Sequence, residues 1–147
     1  MDKNVALVVA LVIGGIVTVQ GPLNSQLARS TGGLPATAIA LGISFVAVAL
    51  LTVIAGQAGG FAQVGNAPAY AVVGGGIVGG IYVASIVWTV RALGVGSLSA
   101  LTITGQFAAA LAIDHFGWLG VDRSPITLSK LAGVALLAVG TYLIVSD

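Results

Sequence analysis

The side chains in this sequence that could do chemistry are few, uncharged for the most part, and set in apolar surroundings. Gln20 and Asn24 are four residues apart, so they share a face if one helix runs through both. A buried amide costs free energy in hydrocarbon unless it is hydrogen-bonded. The pair therefore either braces the break expected at Gly21-Pro22 or contacts a polar ligand. Tyr82, Ser85 and Thr89 follow one another at helical spacing, with Trp88 on a different face. Such a stripe serves either as glue between helices or as a ligand surface. Ser99, Thr102 and Gln106 line one face further on. Gln106 is the most deeply placed large polar group, and its oxygen and nitrogen both need partners. A neighbouring helix or a polar pathway would supply them. Asp114 lies at the end of an apolar run, near where a membrane interface would fall. An acid inside a membrane is functional by default, so Asp114 is the candidate for a proton or cation role. His115 reads as an interface residue.

Other chemistries are excluded. There is no cysteine, which rules out disulfides, thiolate catalysis and cysteine metal sites. One histidine leaves no multi-histidine metal site, and glutamate is absent. No Ser/His/Asp set or paired-acid site is present, so no catalytic residue, metal or cofactor is expected. Gly74, Gly76 and Gly79 spell a literal G-x-G-x-x-G. No strand precedes it, so it carries no dinucleotide meaning. A net charge of +1 without a basic patch gives no reason to expect nucleic acid.

The elements that position these residues follow from composition. Hydrophobic residues make up 58% of the chain and charged ones 6%, with a mean hydropathy of +1.13. Soluble domains carry roughly 25% charged residues. The bilayer must be the solvent, and lipid admits only helices or closed barrels. Unbroken apolar runs, in place of the short alternating segments of a barrel, select helices. A span needs about 20 apolar residues. Five are expected, over about 4–23, 36–56, 69–91, 97–113 and 126–145. Gly21-Pro22 is expected to kink or end the first, because proline lacks an N–H and clashes one turn back. Ser30–Pro35 reads as a turn, Gln57–Pro68 as a Gly-rich loop, and Gly94–Gly96 as a short break. Asp114–Ser124 is the longest polar stretch, with Phe116 and Trp118 suited to the interface. Residues 1–147 read as a single all-α transmembrane domain.

Glycine spacing points to helix seams. Gly75/Gly79 and Gly76/Gly80 are overlapping GxxxG pairs, which let helix backbones approach closely, or alternatively act as a hinge. Gly133 and Gly140 are seven apart on one face of the last helix and read as a dimer seam. Charge hardly fixes orientation. With the N-terminus inside, Lys3, Arg123 and Lys130 lie inside and Arg29 and Arg91 outside, a bias of 3 − 2 = 1. So small a bias allows dual topology, in which one chain inserts both ways and pairs antiparallel with itself.

Several segments taken together resemble the YdcZ-like family of the drug/metabolite transporter superfamily. They are Gln20-Gly21-Pro22-Leu23-Asn24-Ser25-Gln26-Leu27, Gly74-Gly75-Gly76-Ile77-Val78-Gly79-Gly80-Ile81-Tyr82-Val83, Gly105-Gln106, and Ile113-Asp114-His115-Phe116-Gly117. The resemblance covers nearly the whole chain, in order. It implies a five-helix half of a ten-helix transporter fold, completed by dimerisation, in a bacterial inner membrane. It also implies kinship with small multidrug resistance proteins, which work as antiparallel dimers. Those proteins carry a glutamate in their first helix that binds proton and cation. No acid occupies the first helix here, so their coupling chemistry does not carry over.

The expected function is a secondary transporter acting as an antiparallel homodimer, without ATP, on a small molecule that the sequence does not specify. The expected substrate contacts are Gln20, Asn24, Tyr82, Ser85, Gln106 and Asp114. A non-transporting membrane scaffold or assembly subunit is the alternative. A hydrated cavity distinguishes the two, since a transporter gathers its polar groups around water.

Overall fold

The computed structural model describes residues 2–146. Every regular element among them is helical: α1 (Lys3–Thr31), α2 (Gly33–Ile54), a 3₁₀ stretch (Ala58–Asn66), α3 (Ala69–Phe116), a 3₁₀ turn (Trp118–Gly120) and α4 (Leu128–Val145). All four α-helices are long and apolar enough to cross a membrane. The chain forms two compact units, one running through Ala92 and the other beginning at Leu93.

In the first unit, Asp2 caps α1 by accepting a 2.7 Å hydrogen bond from the Asn4 N–H. The helix then passes the expected stop near residue 23 and continues through Pro22 to Thr31. Proline removes one hydrogen bond, and packing offsets that loss. Gly21 at the break and Asn24, Ser25 and Ala28 beyond it are all buried. Gly21 permits the approach: a Cβ there would lie 3.0 Å from Ile86 Cγ2 and 3.9 Å from Val90 Cγ2.

The turn expected over Ser30–Pro35 shrinks to one residue. Gly32, at φ 86° and ψ 162°, joins α1 to α2. That backbone region is essentially open to glycine alone. Pro35 falls in the first turn of α2, where a missing N–H costs little. α2 therefore starts three residues before the expected Ala36 and ends at Ile54, and it packs against α1. The Gly-rich segment that reads as a loop is wound into the 3₁₀ stretch, because its small residues allow the tighter turn. The buried core of this unit is small: Ala28, Ala36 and Val87, with Leu27 packed against it.

α3 holds 48 residues, more than twice the roughly 20 that one span requires. It is interrupted at Gly94, with φ 75° and ψ 170°, within the break expected over Gly94–Gly96.

In the second unit, the stretch 95–116 meets α4 through hydroxyls. Thr104 Oγ1 and Thr141 Oγ1 share a 2.6 Å hydrogen bond. Both also reach the Ala100 carbonyl, at 2.9 and 3.1 Å. The helix runs past the expected end at Ile113, so Asp114 and His115 belong to its last turn. Gly117, in the left-handed region, ends it. Two otherwise open carbonyls of that turn are filled from the following loop: Ser124 N–H donates to Asp114 O at 2.8 Å, and Arg123 Nε to His115 O at 2.9 Å. Phe116 and Trp118 stack, with ring centroids 4.8 Å apart. α4 begins at Leu128, two residues after the expected Ile126, because Thr127 caps it by accepting from the Lys130 N–H.

Candidate functional site

The first polar group of interest lies on α1. Gln20 and Asn24 line an open groove of about 470 Å³ with Ile16, Val17, Val19 and Leu23. Because the helix continues through Pro22, the two amides do share a face. Asn24 is buried, and its Nδ2 has no hydrogen-bond partner. An amide donor left unpaired in an apolar setting costs on the order of 1–3 kcal/mol. Asn24 is thus a donor in search of an acceptor, and Gln20 beside it is half-buried.

The hydroxyl stripe behaves differently. Ser85 Oγ donates to Ile81 O at 2.8 Å, and Thr89 Oγ1 to Ser85 O at 2.8 Å. Thr102 Oγ1 likewise donates to Leu98 O at 2.9 Å. These groups are satisfied inside their own helix, the usual resort of Ser and Thr in apolar helices. Tyr82 is half-buried, Gln106 is exposed and Asp114 is half-buried. The structure holds Gln20, Asn24, Tyr82 and Ser85 in the first unit and Gln106 and Asp114 in the second.

The glycines expected to form seams stand free within the chain. A Cβ at Gly75, Gly76, Gly79, Gly80, Gly133 or Gly140 would meet nothing within 4 Å. The close approaches fall at Gly21 and at Gly33, where a Cβ would lie 2.7 Å from Trp88 Nε1.

One feature escapes sequence reasoning altogether. Arg91 Nε donates to Ser25 Oγ at 2.9 Å, and Arg91 Nη2 to Ser25 O at 2.6 Å. The two residues are 66 positions apart. An arginine late in an apolar helix is a visible signal, but its partner is set only by how α1 lies on α3. His115, expected as an interface residue, makes a contact within the chain. Its Nδ1 accepts from the Ile126 N–H at 3.3 Å, tying the loop back to the end of α3.

Four helices long and apolar enough to cross a membrane, with polar side chains sparingly placed among them, are features of an integral membrane protein. Residues 5–143 match the family described as "Putative inner membrane exporter, YdcZ". The chain belongs to this family. No curated protein and no solved structure matches it. The exporter family places the chain in the inner membrane and makes it a membrane transporter. Its members' name fits a chain whose helices present apolar surface almost all round, with 6–11% of the residues in each helix's most apolar window buried.

Proposed function

We propose that the chain is a secondary transporter that crosses the membrane five times and works as an antiparallel homodimer on a small molecule. The observation that carries this reading is the buried, unpaired Asn24 amide beside Gln20 on an open groove. A donor kept unpaired where lipid offers no acceptor is matched by a substrate, by water or by a second chain. Intramembrane polar groups in transporters gather at such places. The five-span count rests on Gly94, since each piece of α3 on either side of it has roughly the 20 residues a span requires. Gln20, Asn24, Tyr82, Ser85, Gln106 and Asp114 are the proposed contacts along the path. Gly75, Gly76, Gly79 and Gly80 are the proposed packing surface for another helix, and Gly133 and Gly140 the proposed dimer seam.

Dual topology is supported by the near-even split of positive charge. Lys130 Nζ donates to Ser124 Oγ at 2.7 Å and to Pro125 O at 3.2 Å. Its ammonium therefore belongs to the same side as Arg123, and the bias stays at 3 − 2 = 1. A non-transporting scaffold is the competing reading. The self-satisfied hydroxyls of Ser85, Thr89 and Thr102 favour it for those positions, since they ask for no solute.

Engineered cysteines separate the two, on a chain with no background cysteine. In a transporter, Asn24→Cys, Gln20→Cys and Gln106→Cys react with a water-soluble maleimide in intact membranes. In a dry scaffold all three stay unlabelled. A Ser146→Cys label reached from both faces of the membrane supports dual topology, and a label from one face alone removes the antiparallel homodimer.

A further inference from the structure

A second polar site lies on α1, one turn beyond the Asn24 groove. Pro22, Ser25, Gln26 and Arg29 are spaced at i, i+3, i+4 and i+7, so they share one face of the helix. Val90 and Arg91 of α3 close that face into an open cavity of about 650 Å³. Two arginines therefore line one cavity, and no acidic residue lines it.

The charge in this unit is uncompensated. Between Asp2 and Asp114 the sequence contains no acidic residue. Asp2 caps the opposite end of α1, 27 residues from Arg29, or roughly 40 Å at 1.5 Å per residue. That is several screening lengths at physiological salt. Arg29 sits in the last turn of α1, where the helix dipole favours a cation. The dipole stabilises the charge without neutralising it.

Arg91 is moreover held in place. Its Nε and Nη2 are anchored on buried Ser25, at 2.9 and 2.6 Å. A guanidinium carries five N–H donors, so two anchoring bonds leave three free. An arginine that only floats its charge to the headgroups needs no such anchor. A guanidinium fixed on one edge, with free donors on a cavity and a second guanidinium on the same wall, matches the geometry that binds carboxylate or phosphate oxygens with paired hydrogen bonds.

We propose that Arg29 and Arg91 form an oxyanion-binding site, with Ser25 as the positioning residue that orients Arg91. The ligand chemistry is a phosphate or carboxylate group. A soluble anion can present it, and so can the headgroup of an anionic lipid. The proposal stands apart from the transport path around Asn24 and needs no knowledge of the cargo.

The test uses the full chain in nanodiscs of phosphatidylcholine alone, or with phosphatidylglycerol, and follows thermal unfolding. With inorganic phosphate or citrate added to the zwitterionic discs, Tm should rise and saturate, while chloride at equal ionic strength should not reproduce the rise. Arg29→Gln should weaken that response at least tenfold, and Lys3→Gln should leave it intact. Arg91→Gln should abolish it. Should loss of the Ser25 anchor unfold that variant, Arg29→Gln decides alone, because Arg29 is exposed. A rise that comes from phosphatidylglycerol, is lost in Arg29→Gln and is not increased by phosphate supports the site and identifies lipid as its source. No response to phosphate, citrate or phosphatidylglycerol overturns the proposal, as does a response unchanged in Arg29→Gln. Either result would mean that the cavity is closed by a carboxylate from elsewhere in the assembly or is not a site.

Discussion

The two units of this chain hold their helices together by different means. The first does it with small residues. Gly21 and Gly33 let α1 and α2 come within van der Waals reach of Ile86 and Trp88, and the core is Ala28, Ala36 and Val87. The second does it with hydroxyls, through the Thr104, Thr141 and Ala100 cluster. Lipid tails are as apolar as the helices, so no hydrophobic drive brings helices together within a membrane. Close backbone packing and interhelical hydrogen bonds are what remain. One short chain uses both: close packing dominates the first unit, beside the Arg91–Ser25 bonds, and hydroxyl bonds join the helices of the second. Packing by shape should tolerate added volume poorly, and packing by hydroxyls should tolerate it better but lose stability when an oxygen is removed.

The largest effect is expected where a large side chain is forced into one of the two close approaches. Gly21→Leu forces a side chain into Ile86 and Val90 and should cost about 3 kcal/mol, the upper end for overpacking. Denaturant unfolding in mixed micelles measures it, and hydrogen exchange should place the loosening in residues 2–92. A variant as stable as the parent would break the contrast between the units.

Next comes the connection in the same unit. Gly32→Ala places a Cβ at φ 86° and ψ 162° and should cost about 2 kcal/mol of backbone strain. The same unfolding assay reads it. A smaller loss, below about half a kcal/mol, would mean that α1 and α2 can be rejoined with little strain and that their packing does not depend on this turn.

The hydroxyl unit should respond more mildly. Thr141→Val keeps the shape and removes the bonds to Thr104 and Ala100. Interhelical hydrogen bonds in membranes average about 0.6 kcal/mol and reach about 1.7, so a loss near 1 kcal/mol is expected. A loss of about 3 kcal/mol would show that the second unit too depends on shape.

The smallest effect sharpens the comparison from outside. Gly75→Ala and Gly79→Ala meet no atom within the chain, and removing helical glycine should stabilise by about 0.5 kcal/mol each. If the monomer is stabilised while cross-linked dimer is lost, these glycines pack against a second chain. If neither changes, they face lipid.

Much of this architecture is written in composition. Hydropathy alone demands membrane helices, and it placed α2 and α4 within about three residues of where they lie, because apolar length is a property of the local sequence. Gly94 was legible for the same reason, as a glycine between two apolar runs. Pro22 was misleading. Its local cost argues for a break, yet α1 continues because buried Asn24, Ser25 and Ala28 hold the far side in place, and burial is not local. Asp114 was legible as a helix-end acid, but the sequence stops the helix three residues early. The cap that extends it comes from Ser124 and Arg123, across the loop.

The candidate sites divide along the same line. Gln20 and Asn24 sharing a face follows from a spacing of four once a helix is granted. That Asn24 Nδ2 is both buried and unpaired does not follow, since pairing depends on what α1 packs against. The GxxxG pairs mark where a helix can be approached, and only the fold decides that Gly21 and Gly33 are the glycines approached within the chain. Arg29 and Arg91 enter a sequence argument as two positive charges to be counted. Their meeting on one cavity, with Ser25 anchoring Arg91 from 66 residues away, belongs to the tertiary structure alone. A sequence fixes the period, polarity and length of each helix, whereas the neighbour that meets each face is set by the balance of contacts over the whole chain.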